Sequence, residues 1–171
     1  MPIRPATPAD VPAVLPMVAA ICAMHQQLDP QRYDMLPDVV ERYRRWLPIR
    51  AEDPRSVFLV AEAPATSGNH DPVSPPGLNI VGFLVATIEA NIPIYYRKEF
   101  GFIHDVWVEP THRRGGHARD LVNTALERFR AAGVDQVRLE TAAINDGARK
   151  LFAACGFRVG TIDLLRQLDD A

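Results

Sequence analysis

Val106-Trp-Val-Glu-Pro-Thr-His-Arg-Arg-Gly-Gly-His-Ala-Arg-Asp-Leu121 is an apolar run that breaks at Pro110 and restarts as a helical pattern after two glycines. Beyond Gly116 the apolar residues Ala118, Leu121, Val122, Ala125, Leu126 and Phe129 recur at offsets of three and four, so a helix begins at the glycines. The first amides of a helix lack intrahelical partners and sit at the positive end of its dipole, where anions bind. Arg113 and Arg114 add full charges, and Gly115 and Gly116, without a β-carbon, let a ligand oxygen approach the backbone. A basic loop capping a helix, with no ligand, is the plain alternative.

Two familiar phosphate loops are absent. No Lys-Ser or Lys-Thr pair follows the glycines, and their spacing is not Gly-x-Gly-x-x-Gly. Arg113-x-x-Gly116-x-Ala118, preceded by Val-x-x-Pro and followed by Leu121, resembles instead the pyrophosphate signature of the GNAT superfamily, the acyl-CoA-dependent N-acyltransferases. Downstream, Asn145-x-x-Ala148-x-x-Leu151-Phe152-x-x-x-Gly156-Phe157 is similar to that superfamily's next motif. Each of its positions also has a structural use. Asn145 can cap a helix, Ala148, Leu151 and Phe152 form its buried stripe, and Gly156 ends it in a left-handed turn. The order and spacing of the two motifs, separated by one strand pattern, carry the resemblance.

The remaining chain fits one domain, 1–171. Its 171 residues can build a full core without disulfides or metal, and 47% hydrophobic and 23% charged residues with net charge −2 form an ordinary globular composition. No basic tail recommends nucleic acid as a partner. Cys22 and Cys155 are the only cysteines and read as isolated thiols, and no His spacing suggests a metal site. The amino terminus lacks a signal-like apolar core, and the sequence reading finds no apolar run of the roughly 18 residues that a membrane helix needs. The expectation is a cytoplasmic protein without a membrane partner.

Ile3 to Pro5 suggests an edge strand, and Thr7-Pro-Ala-Asp10 supplies cap residues for a helix through Ile21. A second helix is expected over Asp38 to Ile49. Strands are expected at Ser56 to Ala61, Asn79 to Ala90, Gly101 to Val108, Val134 to Thr141 and Gly160 to Leu168, with a flexible hairpin loop over 64–78. Strands first in hairpins and then separated by helices imply an α/β fold of mixed sheet with helices on both faces. The resemblance implies a mostly antiparallel twisted sheet of six to seven strands.

In a strand covered on both faces, the polar pair His104-Asp105 between Ile103 and Val106 needs a reason. A structural hydrogen bond would be one reason. The resemblance implies another: this strand and its neighbour, here Val137 to Thr141, splay apart to admit pantetheine, and the strand carries an acidic base. Several amine acetyltransferases show Glu-Asp where this chain has His104-Asp105. Acetyl transfer from acetyl-CoA requires removal of a proton from the attacking amine, since a lysine-like ammonium has a reference pKa of about 10.4. His104, with a reference near 6.5, suits direct proton acceptance, and Asp105 suits anchoring of the amine. Because side chains alternate along a strand, both reach one cavity only if a bulge intervenes.

The resemblance further implies an oxyanion donor among the amides of Val106, Trp107 and Val108. It places CoA against Arg113, Arg114, Gly115, Gly116, His117, Ala118, Arg119, Asn145, Ala148 and Phe152. It also makes a homodimer an open possibility. Phe152 departs from the family pattern, which often puts a tyrosine hydroxyl there to protonate the leaving sulfur. Water, Tyr95, Tyr96 or Cys155 are the possible substitutes, and a non-catalytic acyl-CoA-binding domain is the alternative function. The acceptor, whether a small-molecule amine or a protein amino group, is not encoded in either motif.

Overall fold

Strand β1 (Ile3–Pro5), β2 (Ser56–Pro64), β3 (Leu78–Ala90) and β4 (Glu99–Val108) follow one another across a sheet as an antiparallel meander. β5 (Val137–Leu139) joins the far edge in parallel to β4. The computed structural model describes residues 2–64 and 78–168, so the proposed hairpin loop, apart from its end residues Pro64 and Leu78, lies outside the described residues.

The central strands are nearly continuous apolar runs because helices cover both faces. On one face lie α1 (Val11–Leu28) and α2 (Val39–Glu52), packed with Phe58, Val60, Phe83, Val85 and Trp107. On the other lie α3 (His117–Ala131) and α4 (Asp146–Ala154), packed with Leu59, Leu84, Ala86, Ile103 and Val108. Neighbouring residues of β2 and β3 therefore enter different cores, as strand alternation requires.

α1 is entered through a short 3-10 turn at Pro8–Asp10, where the Asp10 carboxylate accepts from the Thr7 amide at 2.7 Å and the Thr7 hydroxyl at 2.9 Å. Arg4 of β1 clamps the same enclosed carboxylate with two 2.8 Å bonds and reaches Glu62 of β2 at 2.9 Å. Burial alone would raise the Asp10 pKa, but these bonds hold it below the ordinary carboxylate value. The network fixes the α1 entry to the first two strands.

Three expectations are corrected. Five strands, not six or seven, pair among the described residues. Gly160 to Leu168 forms no strand: it has a strand-like apolar content, but a strand exists only against a partner, and Ile162, Leu164 and Leu168 stand exposed. The segment Pro8–Leu28 is, by length and composition, apolar enough to cross a membrane, which the sequence reading missed. Its apolar excess has a use within the fold, since Val14, Leu15, Val18, Ile21 and Cys22 form the inner stripe against the sheet.

Candidate active site

β4 and β5 pair over three residues only, Gly101–Ile103 with Val137–Leu139. β4 continues through Val108 with no strand on that side among the described residues, so the two diverge at His104 and leave an open backbone edge along His104–Val108. At the same place the register between β3 and β4 slips: Val85 opposes Asp105 and Ala86 opposes Ile103, which leaves His104 as the extra residue of a β-bulge. The bulge answers the alternation problem posed by the sequence. Ile103 enters the α3/α4 core, while His104 and the next residue, Asp105, both turn to the α1/α2 side.

Asp105 is nearly enclosed, and its Oδ2 accepts a 2.8 Å hydrogen bond from the Tyr43 hydroxyl of α2. Burial pushes its pKa up to about 6, and the Tyr43 bond partly opposes that rise. Cys22 of α1 shares the enclosure and is pushed up to about 11, by burial first and the Asp105 charge second. Tyr43 is raised in turn by burial, by the Asp105 charge and by their shared bond.

His104 is more open. Its ring packs edge-on to Trp46 of α2 at 5.3 Å and to Phe102 at 5.1 Å, and Nε2 lies 2.7 Å from Thr87 Oγ1 on β3. Burial lowers its pKa; Glu89 of β3 opposes the shift and Arg50 of α2 adds to it. The neutral, proton-accepting form is therefore favoured near neutral pH. Sequence reasoning missed Tyr43, Arg50, Thr87 and Glu89 as site residues, and Trp46 lies at the boundary between core and site.

Past Val108, a 3-10 turn at Pro110–His112 leads into the loop. Arg114 and Gly116 both adopt positive φ, 68° and 87°, and Gly116 caps α3. This winding exposes residues 113–116, and among the described residues the Gly115 and Gly116 amides donate to no backbone carbonyl. They fit an anion in the way consecutive amides of a turn do. Arg113 folds back: its Nε donates to the Val108 carbonyl at 2.9 Å, and its guanidinium lies 4.5 Å from the Trp107 ring centroid. It braces the loop against β4 rather than projecting freely. His117 covers Gly115 so closely that an added β-carbon there would lie 2.6 Å from its Nε2. Arg114 and Arg119 are exposed, and Ala118 is half-buried against the α3/α4 core.

The second motif forms the helix beside this loop. Asn145 Oδ1 accepts from the Ala148 amide at 3.1 Å, capping α4, and Gly156 ends the following turn at φ 87°. Phe152 is buried and meets Phe157 edge-on at 5.7 Å, so the position that lacks a hydroxyl is filled by packing. Cys155 is half-buried, its thiol raised by burial against the opposing charge of Arg119. Tyr96 is fully exposed and Tyr95 largely so. Of these residues Val106, Val108, Ala118, Ala148 and Phe152 lie in or against the α3/α4 core, whereas the Trp107 side chain lies on the other face with His104 and Asp105, and the Arg113 guanidinium stacks on its ring. Among the described residues no three His, Cys, Asp or Glu side chains cluster to hold a metal.

A mixed sheet that parts beside a β-bulge, with a glycine-rich helix start at the mouth of the opening, is the arrangement that the GNAT resemblance implies. The family model of the acetyltransferase (GNAT) family matches residues 21–157, and the chain belongs to that family. No curated protein matches the sequence. A mutant of the BH1408 protein from Bacillus halodurans is similar in structure, with TM-score 0.78 and 20% identity over 98% of this chain and 99% of that one. An aminoglycoside antibiotic 6'-N-acetyltransferase from Acinetobacter haemolyticus gives 0.65 and 17% identity over 99% and 100%. A ribosomal-protein-alanine N-acetyltransferase from Brucella melitensis biovar Abortus gives 0.62 and 15% over 98% and 100%. At these identities the structures define a shared fold, and the family supports N-acetyltransferase activity in general terms.

Proposed function

We propose that the protein transfers the acetyl group of acetyl-CoA to an amine by direct attack, with His104 as the base. The observation that carries this reading is the bulge that sets His104 and Asp105 on one face where β5 leaves β4. The exposed Gly115 and Gly116 amides and Arg114 would hold the pyrophosphate, with the α3 dipole behind them. The open edge of β4 would offer the Val106 and Val108 amides to the pantetheine arm and to the oxyanion, since Trp107 and Glu109 face β3. CoA supplies the activated thioester; the protein supplies position, charge and proton acceptance.

His104 would take the proton of the attacking amine, because it is the more open of the two polar residues and its pKa is lowered by burial. Asp105 is enclosed and already accepts from Tyr43, so it would act on the amine by its charge through that pair rather than as the first proton acceptor. The buried Phe152 favours a second reading, an acyl-CoA-binding domain without turnover. A thiol of reference pKa about 8.5 is nevertheless a tolerable leaving group without a donor, and a general acid is typically worth about 10²- to 10⁴-fold.

Release of free thiol from acetyl-CoA, measured across a panel of small amines and peptide amino termini, separates the two readings. Turnover with at least one acceptor, falling about 10²-fold in His104→Ala, is expected. Thermal stabilisation by CoA without thiol release would favour the binding domain. Activity unchanged in both His104→Ala and Asp105→Ala would remove the catalytic assignment.

A further inference from the structure

We propose that Glu89, acting through the Thr87 hydroxyl, positions His104 by fixing its neutral ring as the Nε2–H tautomer, so that Nδ1 is the atom that accepts the proton. The inference deepens the proposed reaction and, for its kinetic part, rests on it. Thr87 Oγ1 donates to Glu89 Oε1 at 2.5 Å, and a threonine hydroxyl has one proton to give. Toward His104 Nε2, 2.7 Å away, the same oxygen can then only accept. Nε2 must carry the hydrogen, and in a neutral imidazole the lone pair falls to Nδ1.

Glu89 cannot do this directly. Its Oε1 is 3.8 Å from His104 Nε2, beyond hydrogen-bond reach, whereas the Thr87 hydroxyl lies within hydrogen-bond distance of both. The bridge is held by the sheet, since Thr87 is buried and sits opposite Phe102, two residues before His104. Nδ1 makes no hydrogen bond to a described residue, and it is not among the fully enclosed unpaired atoms, which are Arg50 Nε and Trp107 Nε1. The ring edges of Trp46 and Phe102 confine the imidazole without offering Nδ1 a competing polar partner. The charged groups acting on the ring are Glu89 from β3 and Arg50 from α2, with the Asp105 carboxyl next along β4.

The tautomer is directly readable. In 15N-histidine-labelled protein at about pH 8, long-range 1H–15N correlation distinguishes a protonated from an unprotonated ring nitrogen. The His104 signal, one of five, is assigned by its loss in His104→Gln. The expected result is a protonated Nε2 and a bare Nδ1 in the parent protein, a shift toward the Nδ1–H form in Thr87→Val, and restoration in Thr87→Ser. Glu89→Ala should shift the equilibrium in the same direction, because the freed hydroxyl can then donate to Nε2. In the acyl-transfer assay, Thr87→Val should lower kcat about tenfold or more with the acetyl-CoA KM unchanged, and Thr87→Ser should recover it. An Nδ1–H ring in the parent protein, or the same tautomer in Thr87→Val, overturns the proposal. Because the spectra need no turnover, absence of activity on every amine would count against the reaction reading and leave the tautomer decided on its own terms.

Discussion

Asp105 carries the largest conflict between charge and burial in the site. Its pKa, raised from 3.8 to about 6 by burial, means that folding prefers the protonated form. Its contribution to stability is therefore complete below 3.8 and is lost as pH rises through about 6, above which an enclosed carboxylate opposes folding. Asparagine keeps an oxygen for the Tyr43 hydroxyl but cannot ionise. Asp105→Asn should consequently be more stable than the parent by about 2 kcal/mol near neutral pH, with the gap closing at about pH 4. Denaturant melts at the two pH values decide it, and a gap independent of pH would mean that the carboxyl is not held in this way. The sequence flagged this residue and His104 because a polar pair interrupts an apolar run, which is a local signal. Tyr43 and Thr87 were not legible, since they reach the pair across 62 and 17 positions and look like ordinary helix and strand residues on their own.

At the scale of elements, helices were read well because their periodicity is contained in the segment itself. α3 begins at His117 after the glycines, and α4 is capped by Asn145, both as expected from the sequence. β5 shrank to three residues, and the strand expected at Gly160 to Leu168 did not form, because strand extent depends on the edge offered by another segment. The bulge at His104 is likewise a property of two strands and was foreseen only as a condition. How closely α3 packs on β4 shows at Gly101, the first β4 residue opposite β5. A β-carbon added there would lie 2.9 Å from three carbons of the Phe129 ring, itself fully buried in α3. Because this buried ring would have to shift, Gly101→Ala should cost about 1–3 kcal/mol. In a double-mutant cycle, Phe129→Leu should cost less in the Gly101→Ala background than alone. Strict additivity would show that the sheet relaxes elsewhere and that the contact does not fix α3 on β4.

Over the whole molecule, stability resides in the two helix-covered faces of the sheet, and the carboxy-terminal segment lies outside both. Val159, Ile162, Leu164 and Leu168 are each more than 70% exposed and join neither core. The segment is tied back through Asp163, 3.4 Å from the Arg32 guanidinium, an ion pair whose two side chains are 43% and 72% exposed. Exposed pairs of this kind contribute about 0–1 kcal/mol, and apolar side chains that stay in water contribute no burial energy. A chain ending at Arg158 should therefore lose at most about 1 kcal/mol, or a few degrees in Tm for a protein of this size. Thermal melts of the two forms, each at two protein concentrations, test the distribution of stability. A much larger loss, or a concentration-dependent Tm present only in the full chain, would show that these residues are covered in solution and that the cores described here are incomplete.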